Sequence, residues 1–301
     1  MNDALNFRRE RKVWVFFMIL YQKQLKHEYK LNLHKDKQRN IQTPAISSFL
    51  LSANNRVTTL RQKHLKKLPL GITSISQILE EDYIYVDKTG LIYDMLVPEH
   101  IFDYFMIRPR GFGKTLFLST LEEIFKGNRN LFEGTAIYRS NYNWLSYPIL
   151  RFDFSKMDCN DSREFEASLR KELKKMAKTN GIEPVDGQDF QLLLRRLIED
   201  LSKKQGTRVV LLVDEYDSPI IGSLDKDIKS TEKLRNTLLN FLNVIMELSD
   251  EFIQFSFVTG VNQFSVCGPK GCARDHLIDI TLNPKYATLM GFTRDELETY
   301  F

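Results

Sequence analysis

The chain has 301 residues, 43% hydrophobic and 12% aromatic, with 43 Lys or Arg against 39 Asp or Glu and a net charge of +4. That length and apolar content exclude a wholly disordered chain and leave one large or two small globular domains with a real core. The charge is uneven: residues 1–70 hold fifteen Lys or Arg against four Asp or Glu, a net of +11, and the remainder holds 28 against 35, a net of −7.

Residues 1–65 open on Arg8, Arg9, Arg11 and Lys12, continue with the nine-residue apolar run VWVFFMILY (13–21), and then turn polar, rich in Lys, Gln and Asn. A membrane span needs about 20 apolar residues, so this run is too short. It has the outline of a signal peptide, but no small-residue cleavage site follows closely and the later sequence reads as cytoplasmic. A solvated or disordered basic extension is the preferred reading. The sharper alternative is a nucleic-acid-binding arm, because clustered cations release counterions from a phosphate backbone. A domain that begins near Lys66 also fits a translation start assigned too far upstream. The expected division is therefore 1–65 as extension and 66–301 as folded core.

From Leu68 onward strand and helix patterns alternate. DYFMI (103–107) suits a buried strand, and the stretch from Lys114 places Phe117, Leu121, Ile124 and Phe125 on one helical face, with Gly127 to stop it. YPILRFDF (147–154) alternates in its second half. Asp161 and Glu164 form a capping pair for a helix whose apolar face is Phe165, Leu169, Leu173 and Met176. A second helix is predicted over about 188–204, broken by Gly206. VVLLVDEYD (209–217) reads as a buried strand ending in acids, about 231–248 as a third helix, and FIQFSFVTG (252–260) as another buried strand. Such repeated units predict an α/β fold: a parallel sheet sandwiched by helices, with ligand at its carboxyl edge.

Two motifs give that edge a chemistry. RPRGFGKT (108–115) lies between a predicted strand and helix, where a glycine-containing loop and a helix N-terminus gather phosphate oxygens. Lys114 would reach the β- and γ-phosphates and the Thr115 hydroxyl would ligate Mg²⁺. Arg108 stands where the full P-loop pattern has glycine, so Gly113, Lys114 and Thr115 carry the match. VVLLVDEYD (209–217) then brings Asp214 to the metal and Glu215 to the attacking water. A strand inserted between the two motif strands would deliver a polar side chain toward the γ-phosphate. Thr259 is the candidate, with Asn262 its substitute, although a Thr closing a strand also serves as a cap. Cys159, Cys267 and Cys272 match no strong zinc spacing even with His276 nearby, and reduced thiols explain them.

Together LPLGITSISQILEEDYIYVDKT (68–89), RPRGFGKT (108–115), VVLLVDEYD (209–217), FVTGVNQFS (257–265) and PKYATLMGFTRDEL (284–297) resemble the bacterial AAA-ATPase-like family. The resemblance spans about residues 66–301 and implies an AAA-like P-loop fold with ATP and Mg²⁺ as ligands. It implies nucleotide-binding roles for Arg110, Gly111, Phe112, Gly113, Lys114, Thr115 and Leu116, metal ligation by Thr115 and Asp214, and catalysis through Glu215 and Thr259. Residues 83–89 match a segment that often shapes the adenine pocket. The sequence departs from the family pattern in having Gly111 where a second arginine is usual, and in the stretch 266–280. Family members typically continue into a helical lid and a nuclease-like domain of the PD-(D/E)XK type, and the end at Phe301 implies that both are missing. Two readings follow: a slow ATPase or ATP-dependent switch, with Arg235 and Arg274 unplaced as candidate fingers, or a non-catalytic remnant of a mobile-element or defence-related protein.

Overall fold

Apolar runs without alternation are stable only where both faces of a sheet are covered. The computed structural model of the chain, which describes residues 66–97, 103–184, 187–223, 228–262 and 277–300, uses them in this way. Among the described residues five strands form one parallel sheet: β1 (Asp103–Ile107), β2 (Ile149–Asp153), β3 (Val209–Asp214), β4 (Ile253–Gly260) and β5 (Leu277–Asp279). Their order is β2-β3-β4-β1-β5. All six residues of central β3 are buried, whereas edge strand β2 alternates, with Leu150 and Phe152 buried and Ile149, Arg151 and Asp153 partly exposed.

The helices are α1 (Ile75–Glu80), α2 (Thr89–Leu96), α3 (Lys114–Phe125), α4 (Ala136–Arg139), α5 (Ser162–Thr179), α6 (Phe190–Gln205), α7 (Ser218–Ile221), α8 (Ile228–Phe252) and α9 (Arg294–Tyr300). The two-residue period of β3 sorts them into layers. Val209, Leu211 and Val213 join a core with Phe165 and Leu169 of α5, Leu194 and Leu197 of α6, and Leu238 and Phe241 of α8. Val210 and Leu212 face the other way, into a core with Ile75 of α1, Ile92 of α2, Phe117 and Leu121 of α3, and Ile137 of α4.

Local chemistry sets the helix limits. The Asp161 carboxylate accepts from the N–H groups of Arg163 (2.8 Å) and Glu164 (2.9 Å) to start α5, and Asp189 does the same for α6 through Leu192 (2.8 Å). Gly206, at φ 66, ends α6 in the left-handed conformation. Helix α8 is longer than its apolar pattern predicts, because its polar ends contain no helix breaker and the chain passes directly into β4 at Ile253. Strand β5 was not anticipated; it lies in the 266–280 stretch and pairs with β1 over three residues. The basic extension (1–65) lies outside the described residues, as do Cys267, Cys272, Arg274 and His276.

Candidate nucleotide site at the carboxyl edge

Because β4 lies between β1 and β3, three chain segments converge at one edge: the loop after β1, the end of β4 and the end of β3. The loop is fastened before it turns. The Arg108 N–H donates to Gly260 O (3.1 Å), and its guanidinium donates to Ile107 O (2.9 Å) and Thr281 O (2.8 Å). Burial lowers the Arg108 pKa, with Asp279 opposing. Arg108 thus serves the frame, which explains an arginine at a P-loop glycine position. Arg110, Gly111 and Phe112 form the exposed tip.

Gly111 (φ 85) and Gly113 (φ 88) are left-handed, and a Cβ built on either meets nothing within 4 Å. The constraint there is conformational, and the space beside the loop is open. Gly113 is the N-cap of α3 and no side chain caps that helix, so the first-turn amides of Lys114, Thr115 and Leu116 have no intrahelical acceptor. Those amides and the helix dipole are the elements of an anion cradle.

Lys114 is 4% exposed; its ammonium donates to Arg108 O (3.1 Å) and Pro109 O (3.4 Å) and lies 3.3 Å from Glu215 Oε1. The residues predicted to grip phosphate and to polarise water are therefore paired with each other. Glu215 has φ 51, a left-handed conformation that costs a non-glycine residue about 1–3 kcal/mol.

Asp214, which ends β3, is 1% exposed, and its Oδ1 has no hydrogen-bond partner among the described residues. Burial raises its pKa, and the charges of Asp153 and Glu215 raise it further, against a hydrogen bond from the Thr115 side chain and the charge of Arg151. Asp153 lies directly across the β2–β3 register from Asp214. Arg151 reaches from β2 to Glu122 of α3 (2.8 Å) and to the Thr115 carbonyl (3.3 Å), tying the loop helix to the neighbouring strand. Thr259 of β4 is fully buried, and its Oγ1 also has no partner among the described residues. Asn262 is exposed, with its backbone N–H and C=O engaged by Asp217 and Tyr216.

The turn after Glu215 is clamped onto β4. Tyr216 N–H donates to Thr259 O (3.0 Å), and the Asp217 carboxylate accepts from Val261 N–H (3.0 Å) and Asn262 N–H (2.6 Å). A Cβ on Gly260 would lie 2.5 Å from both Asp217 Oδ1 and the Tyr216 ring, so this approach needs glycine. A second clamp holds the loop tip: Gly291 N–H donates to Phe112 O (3.0 Å), and a Cβ on Gly291 would meet the Phe112 ring at 3.0 Å. Thr293 caps α9 by accepting from Glu296 N–H (3.2 Å), and Glu296 pairs with Lys88. Sequence reading missed Arg151, Asp217, Gly260 and Gly291. Asp217 was visible inside DEYD, but its partners lie 44 and 45 residues away.

In the 83–89 segment, Asp87 accepts from Thr89 N–H (2.9 Å) and Ala136 N–H (2.7 Å), joining α2 to α4. Arg235 lies on α8 and is partly buried. Among the described residues there is no cluster of three or more His, Cys, Asp or Glu that could hold a metal ion, and no helix long and apolar enough to cross a membrane. A Mg²⁺ bound beside nucleotide needs less, since phosphates and water supply most of its oxygen ligands. The orphaned Asp214 oxygen, with the Thr115 hydroxyl beside it, fits that demand.

The model of the family described as predicted AAA-ATPase matches residues 69–268. The chain belongs to the AAA-ATPase-like family. This agrees with the AAA-like parallel sheet and its strand order. A protein of Azotobacter chroococcum mcd 1, described as an uncharacterized protein in the vnfD 5' region, is 34% identical over 238 residues. The match takes in 78% of this chain and 45% of that family relative, so the chain spans less than half of its length. Among solved structures, the Aeropyrum pernix ORC1 protein in complex with DNA matches with a TM-score of 0.38 and 15% identity, over 75% of this chain and 52% of that one. That similarity is too distant to bear on function.

Proposed function

We propose that the chain binds Mg-ATP at the carboxyl edge of its sheet and hydrolyses it slowly. The observation that carries this reading is the pair of buried, unpartnered oxygens, Asp214 Oδ1 and Thr259 Oγ1, on adjacent strands at the edge where the open glycine loop lies. Buried polar atoms are almost always satisfied, so two orphans at one edge favour a ligand that completes them. The loop amides and Lys114 would hold the phosphates, and Arg110 at the exposed tip is free to add a cation. Thr115 and Asp214 would hold Mg²⁺, which when bound neutralises charge on the phosphates. Glu215 would accept the proton of the attacking water while Thr259 orients it. An arginine finger is worth about 10³ to 10⁵ in rate, so a site that works without one turns over slowly.

A second reading, nucleotide binding without turnover, is favoured by the Lys114–Glu215 pair, which occupies the proposed base. Calorimetric titration with Mg-ATP, alongside phosphate release, separates the two. Under the first reading Lys114→Ala abolishes binding. Glu215→Gln binds at least as tightly as wild type, because Lys114 is released from its partner, but hydrolyses nothing. Binding without any phosphate release by wild type selects the second reading, and no binding by folded wild type removes both.

A further inference from the structure

Helix α5 turns Phe165, Leu169, Leu173 and Ala177 into the core. Its outer face carries Arg170, Lys171, Lys174, Lys175 and Lys178, which with Ala167 and Thr179 line a groove of about 610 Å³. The helix holds six basic residues against three acidic ones, whereas residues 71–301 as a whole carry a net charge of −7. The cations are therefore gathered on one face against the charge of the rest. Lys175 lies 3.1 Å from Glu172 and Arg170 lies 3.8 Å from Glu166. Such exposed pairs on one helix are weak. Lys171 and Lys178 are exposed and have no ion-pair partner among the described residues.

The groove's position is fixed by the helix ends. Lys204, near the C-terminus of α6, donates to Asn180 O (2.8 Å) and Gly181 O (2.9 Å), so the C-termini of α5 and α6 lie side by side. Strand β3 begins four residues after α6 ends, which places this end at the amino edge of the sheet, opposite Asp214.

Arg170 to Lys178 spans eight residue rises, about 12 Å, a length over which a duplex presents about seven phosphate charges. The lining has no aromatic or large aliphatic side chain. Peptide partners draw affinity from buried apolar anchors, and single-stranded bases from aromatic platforms. Duplex phosphates need only cations. We propose that the α5 groove binds the phosphate backbone of duplex nucleic acid, without base specificity, at the edge of the sheet opposite the nucleotide site.

The test uses the full chain, a fluorescein-labelled duplex oligonucleotide read by anisotropy across a salt series, and acetylation footprinting of lysines. The duplex should protect Lys171 and Lys178 from acetylation. The Lys171→Gln/Lys175→Gln/Lys178→Gln variant should bind at least about tenfold more weakly, with a log–log salt slope shallower by about 2 to 3. Replacing the same three lysines by Arg should preserve binding. An unchanged melting temperature in the Gln variant would show that the fold is intact. If the slope is unchanged and the two lysines are unprotected, the proposal fails and any retention belongs to other cations, such as those of residues 1–65. Equal protection by polyglutamate at matched ionic strength also overturns it, in favour of an acidic polypeptide partner.

Discussion

Two buried aspartates occupy opposite ends of the same sheet, and their surroundings differ in kind. Asp103, the first residue of β1, is 2% exposed and accepts hydrogen bonds from Ser249 and Ser256, each at 2.6 Å. Asp214, the last residue of β3, is 1% exposed and keeps an oxygen with no partner. The first carboxylate is completed by the fold. The second is left incomplete, beside a strained Glu215 and an open loop. Burial alone therefore does not distinguish the two acids; the unsatisfied oxygen does, because folding gains nothing from leaving it unpaired.

The largest effect should come from breaking the completed end. Asp103→Ala strands the two serine hydroxyls inside the sheet, each costing about 1–3 kcal/mol, so a loss near 3 kcal/mol is expected in urea denaturation. The stabilisation conferred by Mg-ATP should survive, since Asp103 lies at the far edge. Loss of that ligand response in a folded Asp103→Ala protein would erase the distinction between the two ends.

At the incomplete end the sign should reverse. Burial raises the Asp214 pKa above its unfolded value of 3.8. A raised carboxyl pKa means that the folded state holds the proton more tightly. Its contribution is therefore fully present below the unfolded pKa and is lost as pH rises through the folded pKa. At neutral pH without ligand, Asp214→Asn should be more stable than wild type by about 1 kcal/mol, the lower end of the cost of an unsatisfied buried group. The advantage should shrink as pH falls toward 4. With Mg-ATP at a hundredfold excess over Kd, wild type should gain about 2.7 kcal/mol and the variant little or nothing. Thermal melts across pH, with and without ligand, measure both halves. An Asp214→Asn protein less stable than wild type in every condition would make Asp214 another structural acid.

What could be read in advance follows the same division. Strands were legible because covered faces demand uninterrupted apolar runs: 103–107 agrees with β1 residue for residue, and the 209–217 stretch contains β3 at its apolar start. Strand β5 was not, because three residues of which only Leu277 is half-buried carry no such run. The positions of Gly113, Lys114, Asp214 and Thr259 were legible as motif and strand-end residues, and the strand order brings them to one edge. Contacts between distant segments had no local signature. Arg151 and the Thr115 carbonyl are 36 residues apart, Asp103 and Ser249 are 146, and Lys88 and Glu296 are 208. Each needs the sheet order before the two groups can be seen to meet.

The smallest effect should lie at the loop tip, where the 284–297 segment touches the site without supplying a ligand to it. Gly291 has φ 80, and its N–H holds the Phe112 carbonyl at 3.0 Å. Gly291→Ala puts a Cβ 3.0 Å from the Phe112 ring, which is half-exposed and can swing toward solvent. The backbone cost of alanine at that φ is about 1 kcal/mol, and relief of the contact must move the tip that carries Arg110 and Gly111. Calorimetry should therefore show a several-fold weaker Kd for Mg-ATP alongside a melting temperature lowered by only a few degrees. Phe112→Ala in the same background removes the obstructing ring and should recover the affinity, because the loop can return to its hydrogen bond with residue 291. If the double variant binds as weakly as Gly291→Ala alone, the tip is not steered by this contact, and the two ends of the sheet differ only in the groups that line them.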